Sequence, residues 1–95
     1  MKTIHKYRLK PSDQEVQELR MSEEATPIYV EYSHAAKSVF VWAELDAAGV
    51  MDPAVDVRRF KIFHTGQGIP ADAVYVGTTY NQLEPRSYHV YELID

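Results

Sequence analysis

The sequence contains no cysteine and only four glycines and one tryptophan in 95 residues. The absence of cysteine excludes disulfide bonds, thiolate metal sites and a cysteine nucleophile, and small secreted domains usually depend on disulfides. No apolar run approaches the ~18–20 residues that a membrane-spanning helix requires, and the first residues lack the apolar stretch of a signal peptide. We therefore expect a cytoplasmic protein without a membrane segment.

An excess of positive charge is also lacking. Fourteen acidic residues against ten basic ones give a net charge of −4. Nonspecific binding to nucleic acid depends on a basic face, because the affinity comes from neutralising phosphates, so the acidic balance weighs against that function. The chain is 45% hydrophobic and 25% charged, the composition of a globular protein, and its length predicts a single domain over residues 1–95.

Apolar and polar residues alternate with a period of two along most of the chain, between short turn signals. This pattern predicts strands over residues 3–9, 28–33, 38–45, 55–64, 73–80 and 87–94. Residues 12–21 are ambiguous. Ser12 and Glu15 fit a helical capping box, whereas Gln17, Leu19 and Met21 alternate as in a strand, and we favour a strand.

Roughly six or seven short strands with hairpin-length connections predict an all-β domain, either an antiparallel β-sandwich or a small barrel, with at most one short helix. Residues 46–55 are predicted to form a surface loop with room for one helical turn. A β-bulge is predicted at Arg58 and Arg59, where the apolar alternation changes phase. The predicted core contains Ile28, Val30, Val39, Val41, Ala43, Leu45, Val74, Val76 and Val90.

Patterns that would support catalysis or metal binding are weak. The four histidines occur singly, without the spacing of metal ligands, and there is no Gly-x-Ser-x-Gly motif for a nucleophile. Gly66 and Gly68 resemble a fragment of a phosphate-binding turn, but Ile69 and Pro70 follow in place of a third glycine and a helix. We therefore predict no enzyme activity, no metal site and no cofactor.

Basic and aromatic residues concentrate in the segment from Arg58 to Lys61. Such a segment suits an anionic ligand, nucleic acid or an acidic protein surface, and it also protects an edge strand from aggregation. Tyr75 falls on the phase opposite to the aliphatic residues, where interface tyrosines occur. The candidate binding residues are therefore Arg58, Arg59, Lys61, Gly66, Gly68 and Tyr75. Substitution of Arg58 or Arg59 is expected to remove binding and to leave thermal stability nearly unchanged.

Four segments of the chain together resemble a family of small proteins found widely in bacteriophages and prophages. They are residues 3–9, residues 58–66 with Ile69 and Pro70, residues 75–78 and residues 88–92. The family brings no activity that a residue could inherit. It does supply a setting, because small acidic phage proteins often bind and block a host component, including CRISPR complexes. The resemblance implies a stoichiometric, anti-CRISPR-like inhibitor of a host protein or defence complex in the host cytoplasm. A homodimer is a further expectation for the partner, beside the host protein.

A second function of a different class stays open at this point. Arg58, Arg59 and the glycine-containing loop over residues 66–70 are also suited to bind and sequester a small anionic ligand, such as a signalling nucleotide. In that case the protein would bind a metabolite in place of a host protein.

Overall fold

The computed structural model describes residues 1–46 and 55–94. Seven strands lie in these residues: β1 (Lys2–Leu9), β2 (Gln17–Ser22), β3 (Thr26–Ser33), β4 (Ser38–Asp46), β5 (Val55–Phe63), β6 (Val74–Asn81) and β7 (Arg86–Leu93). The six predicted strands are confirmed with small differences at their ends, and the second half of the ambiguous segment 12–21 lies in the strand β2. The predicted loop over residues 46–55 lies outside the described residues except at its two ends.

The strands form two antiparallel sheets. Sheet A has the strand order β1-β4-β3, and sheet B has the order β2-β5-β7-β6. The sheets pack face to face, and the edge strands β3 and β6 are in contact. The all-β sandwich is therefore confirmed. Within the described ranges, no helix is long and apolar enough to cross a membrane.

The core lies between the facing sides of the two sheets. Because alternate residues of a strand point to the same side, β4 buries every second side chain from Val39 to Leu45. Sheet B faces them with Phe60, Ile62 and Val90, whose exposed fraction is 0%. Val30 is also buried, and Val76 packs against this cluster.

The prediction of a core position is wrong for two residues. Ile28 is 46% exposed and Val74 is 48% exposed. Ile28 is the extra residue where the pairing of β3 with β4 shifts register between Pro27 and Tyr29, and a bulge of this kind breaks the alternation of sides. Val74 is the first residue of the edge strand β6, where the opposite sheet no longer covers it.

The predicted bulge at Arg58 and Arg59 is also wrong. β5 pairs without a shift of register along both β2 and β7. In this regular alternation Val55 and Val57 point outward, with 48% and 46% of their surface exposed, and Arg58 points inward together with Phe60. Because Val55 and Val57 are apolar but point outward, the apolar alternation along β5 changes phase in the sequence although the strand is regular.

Side chains close the two seams between the sheets. At the β3–β6 seam the Thr79 hydroxyl accepts a hydrogen bond of 2.8 Å from the backbone N–H of Tyr32. At the opposite seam the Gln17 amide accepts a hydrogen bond from the Lys10 N–H at 2.7 Å and donates one to the Lys10 carbonyl at 2.9 Å. These contacts satisfy backbone groups that edge strands otherwise leave unpaired.

Gly77 allows β6 to approach the core of sheet A closely, because a Cβ atom there would lie 2.7 Å from Cγ2 of Val30. We expect Gly77→Ala to lower the free energy of unfolding by about 1–3 kcal/mol, since overpacking displaces well-packed side chains. The same substitution in a Val30→Ala background should cost much less, because the clashing methyl group is absent. Urea unfolding of the wild type and the three variants tests this, and an equal cost in both backgrounds would contradict it.

Candidate binding site

The outer face of sheet B carries a row of side chains that the strand register sets. Lys61 of β5 is the partner of Tyr91 of β7, and Tyr91 is the partner of Tyr75 of β6. The rings of Tyr75 and Tyr91 are 5.4 Å apart at an interplanar angle of 64°, an edge-to-face arrangement that aromatic pairs favour. Tyr75 remains 56% exposed. The row therefore presents an ordered aromatic pair beside a lysine.

A hydrogen-bond network orients this aromatic pair. The Tyr75 hydroxyl is 2.7 Å from the Thr78 hydroxyl, which is 3.0 Å from Nδ1 of His89. The other ring nitrogen of His89, Nε2, is 2.8 Å from the hydroxyl of Thr65. Thr78 and His89 are direct partners in the ladder between β6 and β7. Both nitrogens of His89 are therefore engaged by hydroxyl groups, and Tyr75 is held by a polar network as well as by ring packing.

Residues 64–73 connect β5 to β6 across β7. This crossing follows from the topology, because β5 and β6 are both antiparallel to β7 and therefore parallel to each other. The connection starts with a turn in which the Gln67 N–H donates to the His64 carbonyl at 3.1 Å. Gly66 has a φ of 97°, which glycine adopts without strain. At Gly68 an added Cβ would meet no described atom within 4 Å, so packing places no demand on that position.

Arg59 lies on the same outer face, one row from Lys61, opposite Glu18 of β2 and Leu93 of β7. It borders a shallow depression of about 220 Å³ that is lined by Arg59, Pro70, Asp72, Leu93 and Ile94. The structure therefore places Arg59, Lys61 and Tyr75 on one face, with Gly66 and Gly68 in the connection that crosses it. We call this set, with Tyr91 and the rest of residues 64–73, the sheet B surface.

Arg58 was predicted as a binding residue together with Arg59 and Lys61, but the structure places it inside the sandwich and not on the sheet B surface. Its side chain is only 12% exposed. Nε and Nη2 donate to the two carboxylate oxygens of Glu92, each at 2.7 Å, and Nη1 donates to the carbonyls of Ser22 and Ala25 at 2.9 and 2.7 Å. The hydrogen bonds with Glu92 raise the pKa of Arg58. Arg58 therefore joins β5, β7 and the turn between β2 and β3.

The connection between β1 and β2 is attached to the sheet B surface through Asp13. Its backbone carbonyl accepts a hydrogen bond of 2.8 Å from Nζ of Lys61, and its carboxylate lies 3.3 Å from Nε2 of His64. Nζ of Lys61 is also 4.4 Å from the centroid of the Phe63 ring. The side-chain amide of Gln14, followed by the charges of His64 and Lys61, holds the pKa of the Asp13 carboxyl below its ordinary value.

Sequence reasoning missed the residues that organise this surface. Thr78 faces His89 on the side of Tyr75 because the pairing of β6 with β7 shifts register between Tyr75 and Gly77. Thr65 reaches His89 from the connection that follows β5. The one sequence signal for these residues was that His89 and Tyr91, two positions apart, lie on the same side of the last strand. The shift itself leaves no mark in the residue pattern.

The described ranges contain no group of three or more His, Asp or Glu side chains placed to hold a metal ion. The exposed Tyr75 ring, the adjoining cations and the shallow depression form an open surface, which is suited to contact with another molecular surface.

The fold and this surface define the protein as an antiparallel β-sandwich with an ordered aromatic and basic outer face. The chain belongs to a family described as a domain of unknown function (DUF7352), whose family model matches residues 1–95. No curated protein and no solved structure matches the chain. The function is therefore argued from the residues of the surface.

Arg58 and Arg59 are adjacent in sequence but opposite in role, which corrects the expectation that neither affects stability. We expect Arg58→Ala to lower the free energy of unfolding by about 3 kcal/mol, because it leaves the Glu92 carboxylate and two carbonyls without donors in a mostly buried place. Arg59→Ala on the outer face should cost about 1 kcal/mol or less.

Thermal unfolding followed by circular dichroism measures both effects, and for a domain of this size the Arg58 variant should lose more than ~10 °C in Tm. Replacing both partners, Arg58→Met with Glu92→Leu, should recover part of the loss, since no unpaired charge remains. Equally small effects of Arg58→Ala and Arg59→Ala would contradict the interior role of Arg58.

The lowered pKa of Asp13 predicts a pH dependence of stability. The contribution of Asp13 is complete above the unfolded-state pKa of ~3.9 and is lost as the pH falls through the lower folded-state pKa. Asp13→Asn should therefore be less stable than the wild type at pH 7, and the difference should shrink below about pH 4. Urea unfolding between these pH values measures it. Glu15→Gln is the matched control, because Glu15 faces the exposed Lys10 at 3.6 Å; a difference for Asp13→Asn that does not change with pH would contradict the prediction.

Proposed function

We propose that this protein acts by stoichiometric binding and not by catalysis, and that its sheet B surface contacts a partner protein. The row of Lys61, Tyr91 and Tyr75 carries this proposal. Tyrosine and arginine are enriched among the residues that dominate binding energy in protein interfaces. The Tyr75 ring is already held by the hydrogen bond to Thr78 and by packing against Tyr91, so it loses little conformational freedom on binding and more of the contact energy appears as affinity.

The geometry favours binding over catalysis. The depressions at this surface, about 220 Å³ beside Arg59 and about 360 Å³ beside His64 and Thr65, are open to solvent, whereas typical small-molecule sites enclose most of the ligand surface. A catalytic histidine base usually has a nucleophile on one nitrogen and a carboxylate on the other. The nitrogens of His89 face the hydroxyls of Thr65 and Thr78. His64 has the Asp13 carboxylate 3.3 Å from Nε2, but its Nδ1 faces the backbone carbonyl of Ser87 at 3.3 Å and not a nucleophile.

The geometry also weakens the alternative function, sequestration of a nucleotide. Arg58, which was a central residue of that hypothesis, directs its donors to Glu92 and two carbonyls. The depression beside Arg59 includes Asp72, whose carboxylate would repel a phosphate group. A protein partner is therefore the better candidate for this surface.

The setting of the proposal comes from the resemblance to phage proteins. It extends the proposal to a host protein as partner, such as a component of a CRISPR or other defence complex, which the protein would block in the host cytoplasm. The choice of surface is supported by the geometry, and the choice of partner is supported by the resemblance.

Tyr75 and Tyr80 provide a matched test, because both are tyrosines of β6 with 56% and 52% of their surface exposed. Tyr80 lies five positions farther along the strand, roughly 16 Å away. We expect Tyr75→Ala to weaken partner binding by about 30-fold or more, as the loss of a central hot spot does, and Tyr80→Ala to change it by less than about 2-fold. Both variants should keep the thermal stability of the wild type to within a few degrees.

The experiment begins with parallel capture from host lysate by the wild type and both variants, with quantitative mass spectrometry of proteins and released small molecules. Calorimetric titration of the purified, identified partner then gives the affinities. Equal binding by all three chains would exclude the sheet B surface. Release of a bound nucleotide without any captured protein would instead favour the alternative function.

A further inference from the structure

The outer face of sheet A, on the opposite side of the molecule, is organised in two rows of three side chains. The register of β1, β4 and β3 places Arg8, Phe40 and Glu31 in one row. The neighbouring row contains Lys6, Trp42 and Tyr29. We call these six residues the sheet A surface. Each row contains a cation on β1 and an aromatic ring on β4. On β3 the first row ends at Glu31 and the second ends at Tyr29.

The rings of the sheet A surface form a continuous cluster. Trp42 lies 5.6 Å from Tyr29 and 6.2 Å from Phe40 between ring centroids. Nζ of Lys6 is 4.2 Å from the centroid of the Phe40 ring, a cation–π contact. Tyr29 is 54% exposed, and Ile4 on the adjoining part of β1 is 52% exposed. A contiguous exposed group of large apolar side chains usually marks an interaction surface.

Charge is distributed asymmetrically across this surface. The β1 edge carries Lys6 and Arg8, whereas the β3 edge carries Glu31. Glu31 accepts a hydrogen bond of 3.0 Å from the Tyr29 hydroxyl, and it has no cationic partner among the residues that the structure describes. Arg8 donates from Nε to the Ser38 hydroxyl at 2.7 Å but remains exposed. Within these six residues the surface is therefore positive on one edge, apolar in the centre and negative on the other edge. The next outward residue of β4, Glu44, is paired with Lys2 at 3.1 Å.

We propose that the sheet A surface binds a second copy of this chain, with a two-fold axis parallel to β4. Rotation about such an axis places β1 of each copy over β3 of the other. Arg8 then faces Glu31 of the second copy, and Glu31 faces Arg8 of the second copy, within the same row. Phe40 and Trp42 lie on the axis and face their own counterparts. The interface is isologous, with two equivalent ion pairs on either side of an aromatic centre.

The charge distribution selects this orientation. A two-fold axis in the same plane but perpendicular to the strands would place β1 over β1 of the second copy, and the cations Lys6 and Arg8 would face like charges. Sheets that pack face to face interdigitate their side chains at a separation of about 10 Å, which aromatic side chains fill. The sheet B surface lies on the other side of each copy, so this dimer would leave it accessible.

The expected affinity follows from the size of the face. Three strands about 4.8 Å apart and about 8 residues long cover roughly 400 Å² in projection, which is small beside the ~800 Å² per partner of a standard interface. We therefore expect a dissociation constant in the micromolar range. Sedimentation velocity between about 1 and 300 μM covers that range, and Trp42, the one tryptophan of the chain, reports burial through a blue shift of its fluorescence.

Charge reversal tests the pairing directly. Glu31→Arg and Arg8→Glu should each weaken self-association by about 10-fold or more, because each places like charges opposite one another across the axis. An equimolar mixture of the two variants should form a heterodimer within about 3-fold of the wild-type affinity, since residue 8 of each copy again faces an opposite charge at residue 31 of the other. Glu24→Arg, in an exposed turn outside the surface, is the control with the same change of charge and should associate like the wild type.

Several results would overturn the proposal. A wild-type chain that stays monomeric up to about 300 μM would overturn the proposal, because the expected dissociation constant is well below this concentration. Variants that associate as strongly as the wild type would assign the dimer to another face. Quenching of Trp42 by a single-stranded oligonucleotide, with a monomeric chain, would assign the surface to nucleic acid. If Arg8→Glu fails to fold, Glu31→Arg alone retains the test: unchanged self-association contradicts the proposal.

Discussion

The inward orientation of Arg58 is the constraint on which the rest of this structure depends. A guanidinium is stable inside a small domain only when its charge and its donors are paired. Glu92 and the carbonyls of Ser22 and Ala25 provide those partners, so one side chain joins β5, β7 and the turn between β2 and β3. Since alternate residues of β5 point to opposite sides, the inward Arg58 directs Arg59 outward. The interior ion pair and the outer basic surface are therefore two consequences of one strand register.

The same alternation gives each sheet an ordered outer side. The core uses mainly aliphatic residues of both sheets, and aromatic clusters form on both outer sides, around Tyr75 on sheet B and around Trp42 on sheet A. Hydrogen bonds of the Thr79 and Gln17 side chains join the two sheets along their edges, so the outer faces point in opposite directions. If both proposals hold, a dimer formed through sheet A presents two sheet B surfaces, and an oligomeric target would be bound with the gain in avidity that bivalence provides.

The strands and the sandwich could be predicted from the sequence because period-two alternation reports directly on one-sided burial. The sequence did not predict which residues of β5 point to the core and which point outward. Val55 and Val57 are apolar but exposed, whereas Arg58 is charged but mostly buried, and hydrophobicity alone reverses these roles. The real bulges also left no signal, since Ile28 resembles any other strand residue and is displaced only by pairing with β4. Of the predicted binding residues, Arg59, Lys61, Gly66, Gly68 and Tyr75 lie together on the sheet B surface, whereas Arg58 lies in the interior; their role in binding stays a prediction.

The central claim, that the protein binds its partner through the sheet B surface, is tested most directly by hydroxyl-radical footprinting of the free protein and of its complex. The modified tyrosines, read by mass spectrometry, separate the surfaces of the molecule. Protection of Tyr75 and Tyr91, with Tyr80 unchanged, is the predicted result. Unchanged modification of Tyr75 in the complex, with protection at Trp42 and Tyr29 instead, would contradict the claim and would move partner binding to sheet A.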